Sequence, residues 1–149
     1  MAAHVRTQMR VATVAALTGL ATTGARVFAS RVYPLQDDDL PALRVDTNNE
    51  DVDSESIIAN RVLDRELQVL VQACVKQNAT YNDTIDQIIQ EVEVALSTLA
   101  AQTMAGAKSV QLQRIEVVLA GEAEKPVAVA TMLFAVPYHT ALNAPDVAL

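Results

Sequence analysis

Apolar residues near the amino terminus recur at helical spacing: Val5, Met9, Ala12, Ala16, Leu17 and Leu20 fall on one side of a helix predicted over residues 4–18. Gly19 is placed to end that helix in a left-handed cap. After the threonine-glycine turn, "ARVFASRVY" is rich in β-branched and aromatic residues, and "PALRV" follows a bend between Pro34 and Pro41. The two segments predict a two-stranded antiparallel unit with the acidic stretch "QDDD" at its tip. Residues 46–56, "DTNNEDVDSES", contain almost no apolar side chains and read as a mobile acidic loop.

From Arg61 to Lys76 the period changes to two. Leu63, Arg65, Leu67, Val69, Val71, Ala73 and Val75 share one face, and Asp64, Glu66, Gln68, Gln72 and Lys76 the other, interrupted by Leu70 and Cys74. This is the pattern of a half-buried antiparallel strand, about 50 Å long at ~3.3 Å per residue. Helical spacing returns with Ile85, Ile88, Ile89, Val92, Leu96 and Leu99, after Asn82 or Asp83 as candidate caps. In "SVQLQRIEVVLAG" the alternation shifts parity between Leu112 and Ile115, which predicts a β-bulge. "EKP" then reads as a hairpin turn and "VAVATMLFAVPY" as the last strand. The expected fold is α+β: one domain over residues 1–138, with a mainly antiparallel sheet of about four to five strands and two helices packed against it. Residues 139–149 read as a loose carboxy-terminal tail.

A chain of 149 residues fits one domain, burying roughly 68–70% of its unfolded surface. Its net charge of −7 is local. Residues 37–55 hold eight acids (Asp37, Asp38, Asp39, Asp46, Glu50, Asp51, Asp53, Glu55) against the single base Arg44, and the remaining ten acids and ten bases cancel. One segment thus carries the whole imbalance, as an interaction or repulsion surface would. Its sign disfavours tight nucleic-acid binding, which needs Lys and Arg. With Cys74 the only cysteine, no intrachain disulfide forms and a reducing compartment is expected. The amino-terminal apolar run is short and broken by threonines, which argues against an export signal, and no stretch is suited to spanning a membrane.

Candidate chemistry is sparse. Asp46 and Asn48 begin like a calcium loop, but Asp51 stands where glycine is required and Ile57 where a bidentate Glu is required, so no metal site is assigned. His4 and His139 sit near opposite ends of the chain without a nucleophile, base and orienter set, and no catalytic residue is assigned. Cys74 has no activating base nearby in sequence. The four glycines are isolated from one another, so no phosphate loop or cofactor site is read. Arg26, Arg31 and Arg44 flank the acidic bend, and Arg61 and Arg65 open the long strand. They either protect sheet edges from aggregation or pair with a neighbouring subunit's acids in a heterologous, ring-closing contact.

Taken in order, "LTGLATTGARVFASRVYPL", "LPALRV", the long alternating strand and "TIDQIIQEVEVAL" resemble the tail terminator, or minor tail protein U, family of long-tailed bacteriophages and phage-like particles. The similarity runs from about Val5 to Tyr138. It implies an α+β fold and a hexameric ring at the head-proximal end of the tail, in the neck of a virion assembled in the host cytoplasm. It implies a tail tube protein and a head-completion or connector protein as partners, DNA passing through the channel without specific binding, and no enzyme activity, cofactor or membrane. The acidic loop is worded differently from the phage lambda type, so loop contacts do not transfer. Three other functions are weighed beside this one: another ring-forming head-tail connector or neck protein, a small oligomeric metal-dependent enzyme using the acidic segment, and an acidic adaptor with no self-assembly. Whether that segment faces the channel, a neighbour or water stays open.

Overall fold

The structure, a computed structural model, describes residues 2–30, 37–54, 61–120 and 126–149. At its centre β3 (Val62–Lys76) and β5 (Val127–Ala141) pair antiparallel in one unbroken register, from Val62 opposite Ala141 to Lys76 opposite Val127. β2 (Ala42–Ser54) flanks β3, and β4 (Gln111–Ala120) flanks β5, both antiparallel. β1 (Val27–Ala29) extends the sheet beside β2, and β6 (Ala144–Ala148) folds back on the end of β5. The chain is therefore α+β, a six-stranded curled sheet with α1 (Val5–Leu17), α2 (Tyr81–Leu96) and the one-turn α3 (Leu99–Gln102).

Period-two patterning decides which face the helices cover. Leu67, Val69, Val71, Ala73 and Val75 of β3 and Ala128, Ala130, Met132, Phe134, Val136 and Tyr138 of β5 are buried with Val5, Met9 and Leu17 of α1 and Ile85, Ile88, Val92 and Leu96 of α2 in one core. The long strand and the expected helical stripes are present, except that Leu99 falls outside α2, at the start of the next short helix, and is 80% exposed. On the opposite, open face, Gln72 Nε2 donates to Thr131 Oγ1 at 3.2 Å between half-buried neighbours. His4 caps α1, its Nδ1 accepting from the Arg6 amide at 3.1 Å, and Gly19 beyond the helix has φ 93°.

Two bulges crease the sheet on neighbouring rows. Asn48 and Asn49 of β2 together oppose Gln68 of β3, and Gln113 of β4 is inserted between the rows of Phe134 and Leu133 on β5. The second is the predicted parity shift; it puts Leu112 on the same face as Ile115, Val117 and Leu119. An extra residue bends its strand and increases the local twist.

Four expectations need correction. β1 pairs with β2 in parallel, not as a hairpin, because residues 30–41 are long enough to make a crossover connection. Residues 46–54 are strand, not loop: the long template of β3 supplies backbone partners that need no apolar side chains. α2 starts at Tyr81 after Thr80, so Asn82 and Asp83 lie within its first turn. Residues 139–149 are not a loose tail. β5 runs on to Ala141, β6 follows, the Leu149 amide donates to the His139 carbonyl at 2.9 Å, and Gln8 Nε2 donates to the Asp146 carbonyl at 2.8 Å. The expected "EKP" turn lies largely outside the described residues.

Gly106 anchors this last strand. It has φ +82°, and a Cβ built on it would stand 2.3 Å from Ala148 Cβ. Gly106→Ala is expected to lower the unfolding free energy by about 1–3 kcal/mol, from the left-handed backbone and from overpacking. Combining it with Ala148→Gly in a denaturant-melt double-mutant cycle should remove the packing part and leave the backbone part; full additivity would show that the two residues do not meet.

Candidate functional site

The acidic segment folds into two separate places. Asp37–Asp39 form one 3-10 turn ahead of β2, with Asp38 exposed and Asp39 half-buried, while Asp51 and Asp53 lie exposed near the far end of β2. From Asp39 to Asp51 is about 40 Å of chain at ~3.3 Å per residue. Asp46 lies between them, half-buried opposite Leu70. Glu55 lies outside the described residues.

At the far end of β2 the antiparallel register sets like charges face to face. Asp51 is opposite Glu66 and Asp53 opposite Asp64 on the open face, and such pairs are each destabilising by roughly 0.2–1 kcal/mol. His139, next in the row on β5, places Nε2 3.1 Å from Asp64 Oδ1. Asp51, Asp53, Asp64, Glu66 and Pro137 line a cleft of about 280 Å³ together with Arg65. The carboxylates are spread along strands instead of converging: among the described residues, no three His, Cys, Asp or Glu side chains are grouped to hold a metal ion.

Glu50 behaves differently from its acidic neighbours. The Asn48–Asn49 bulge turns it towards the helix side, where only 7% of its side chain is exposed. Arg65 Nη1 lies 3.2 Å from Glu50 Oε2 with its own side chain 10% exposed, and Arg6 Nη1 approaches the same oxygen at 3.7 Å from α1. Tyr138 Oη donates to Glu50 Oε1, and Arg65 Nε donates to Thr140 Oγ1 at 2.9 Å. Arg6 Nη2 also donates to the Asn48 carbonyl at 2.7 Å, and Arg10 Nη1 to Thr47 Oγ1 at 2.8 Å. Burial, then the hydrogen bond and charge of Glu50, push the Tyr138 phenol well above its ordinary range. With Tyr138 fully buried and both carboxylate oxygens of Glu50 occupied, the cluster is built to tie α1, β2, β3 and β5 together and not to receive a substrate.

The predicted arginines divide similarly. Arg26 Nε donates to the Pro41 carbonyl at 2.8 Å and Nη2 to the Thr22 carbonyl at 3.1 Å, so it staples the turn before β1 to the start of β2. Arg65 serves the buried cluster, Arg44 is half-buried on the open face opposite Gln72, and Arg61 is exposed just before β3. Arg31 lies outside the described residues. Intrachain partners thus hold Arg26 and Arg65, two of the arginines offered for interchain pairing. Sequence reasoning missed Tyr138 and Arg6 as partners of Glu50, and Thr140 as the acceptor for Arg65, since only the Asn48–Asn49 pair marks locally the bulge that reverses the direction of this glutamate.

A third joint links the threonine-glycine turn to α2. The Thr22 amide donates to Glu91 Oε1 at 2.8 Å and its hydroxyl to Glu91 Oε2. Burial raises the Glu91 pKa, but these bonds, with one from Gln87, outweigh it and hold the carboxyl below its ordinary value.

No protein-family model matches the chain, and no curated protein matches it. Among solved structures it is similar to a chain of the virion of the native gene transfer agent (GTA) particle, with 18% identity, 92% of each chain covered and a TM-score of 0.48. That likeness is too distant to carry an argument about function.

Glu50→Ala is expected to cost about 3–5 kcal/mol in a denaturant melt, because it leaves the buried Arg65 charge without its partner. The Tyr138 phenol titrates higher in the folded chain than in the unfolded one, so its contribution is fully present below the unfolded pKa of about 10 and is lost as pH rises beyond it, at up to about 1.4 kcal/mol per pH unit. Tyr138→Phe should flatten that alkaline fall in stability; melts with the same slope in both proteins would place the titrating group elsewhere.

Proposed function

We propose that this chain is a ring-forming structural protein of a phage-like particle, and that it closes the head-proximal end of a tail tube as a tail terminator. The observation that carries the reading is where the resembling segments fall. "LTGLATTGARVFASRVYPL" covers the end of α1, the turn and β1; "LPALRV" opens β2; the alternating stretch is β3; "TIDQIIQEVEVAL" lies within α2. Thr22 and Glu91, one from each of two such segments, are bonded to each other. The segments therefore form one joined framework.

In this reading one face of the ring matches the interface that a tube ring offers, and the other presents a surface that no tube subunit fits, so growth stops. The ring is six-fold, as the resemblance implies, and its docking face receives a head connector. The acidic end of β2 and β3, carrying Asp51, Asp53, Asp64 and Glu66, suits a channel wall that repels DNA phosphates and lets a genome pass without sticking. The Asp37–Asp39 turn, far along the strand, is a separate surface suited to a basic partner.

Particles assembled without this protein are expected to carry over-long tails by electron microscopy. Normal-length tails unattached to heads would instead assign it to head-tail connection. Reversing Asp37, Asp38 and Asp39 to lysine is expected to leave the ring intact and impair joining to heads; unchanged joining would reduce that turn to a solvated bend.

A further inference from the structure

β4 is an edge strand that lacks the usual protection. Among the described residues it pairs only with β5, leaving ten residues of backbone with one open side. Its helix-side row, Ile115, Val117 and Leu119, is 42%, 48% and 54% exposed, and Val118 on the other face is 49% exposed. Edges that remain single are normally short, bulged or charged. Here the bulge lies at Gln113, before the apolar stretch, and the only charges on the strand are Arg114 and Glu116, which face each other along it at 3.6 Å. The strand is locally neutral in a chain of net charge −7.

We propose that β4 is a self-pairing edge, at which a second copy of this chain adds antiparallel about a two-fold axis at Val117. Three observations select a copy of β4 as the occupant. An antiparallel register centred on Val117 sets Ile115 of each copy opposite Leu119 of the other and Val117 opposite itself, so the exposed apolar row covers its own mate. No like-charged pair is set directly opposite, since Glu116 meets Val118 and Arg114 meets Ala120. The acidic edge at β2 lies across the whole sheet from β4, so this approach keeps the two charged regions as far apart as the fold allows. Among the described residues the outer part of β2, beyond β1, would offer the row Thr47, Glu50 and Val52, a poorer match.

A two-fold contact is isologous and closes at two copies, so it is separate from the heterologous contacts a ring requires, and it does not rest on the tail reading. A paired strand about 33 Å long gives an interface at the small end of specific ones, so dimerisation should depend on concentration.

The test uses the full chain in light scattering coupled to size exclusion across a concentration series. The wild type is expected to pass from monomer to dimer, and Val117→Lys, which brings two ammonium groups together on the axis, to remain monomeric with an unchanged circular dichroism spectrum and melting temperature. Register is read separately, in a Cys74→Ala background, with a short thiol cross-linker. Val117→Cys should cross-link to itself, and Ile115→Cys should cross-link to Leu119→Cys but poorly to itself. A wild type monomeric at every concentration, a dimer indifferent to Val117→Lys, or cross-linking without this register would each overturn the proposal. Tail length in assembled particles is a separate readout: normal tails with Val117→Lys would leave the terminator reading standing whatever the fate of the dimer.

Discussion

The fold depends on the uninterrupted pairing of β3 with β5. Fifteen residues of each strand stay in register, and every other strand except β1 is bonded to one of these two. Because side chains alternate strictly along both, this one pairing also decides which residues can meet the helices. A slip of one position would exchange Leu67, Val69 and Val71 for Glu66, Gln68 and Leu70 in the core. The apolar row of β3 is aliphatic and nearly continuous, and β5 adds the aromatic anchors Phe134 and Tyr138 to it.

The helices add their own constraints to that base. α1 is held by its apolar stripe and also by Arg6 and Arg10, which reach the bulged part of β2. α2 is tied through Glu91 to the turn ahead of β1. Gln102, the last residue of α3, accepts from the Val110 amide at 3.0 Å and donates to the Val110 and Leu96 carbonyls at 2.9 and 2.7 Å, so one side chain satisfies backbone groups of both segments. The ties of α1 and α2 connect elements distant in sequence, whereas that of Gln102 is local.

Elements with a strong burial period were legible in the sequence. The alternation of β3 and the stripe of α2 reflect contact with a core, and burial writes itself into residue type; the parity shift at Gln113 was legible from alternation alone, on a strand whose apolar row is exposed. Strand formation in Asp46–Ser54 left no such mark, because those residues are held by backbone bonds to β3 and their side chains meet mostly water or one another. β6 is equally silent: its Ala, Pro and Asp residues suit a tail, and its position is set by the cleft that Gly106 leaves for Ala148. The acidic segment was legible as charge but not as geometry. Glu50 is separated from its exposed neighbours by the one-residue insertion opposite Gln68, which moves its carboxylate across the sheet.

The two bulges also set the shape of the sheet. Lying on neighbouring rows to either side of the central pair, they shift the outer ladders by one residue each while β3 and β5 keep their register throughout. Each extra residue bends its strand and increases the local twist, and Ala135, almost wholly buried on the open face opposite Gln68, puts a single methyl group beside the crease. The end of the sheet that carries the carboxylates is thereby turned relative to the part beneath α2, without parting a strand from its neighbour.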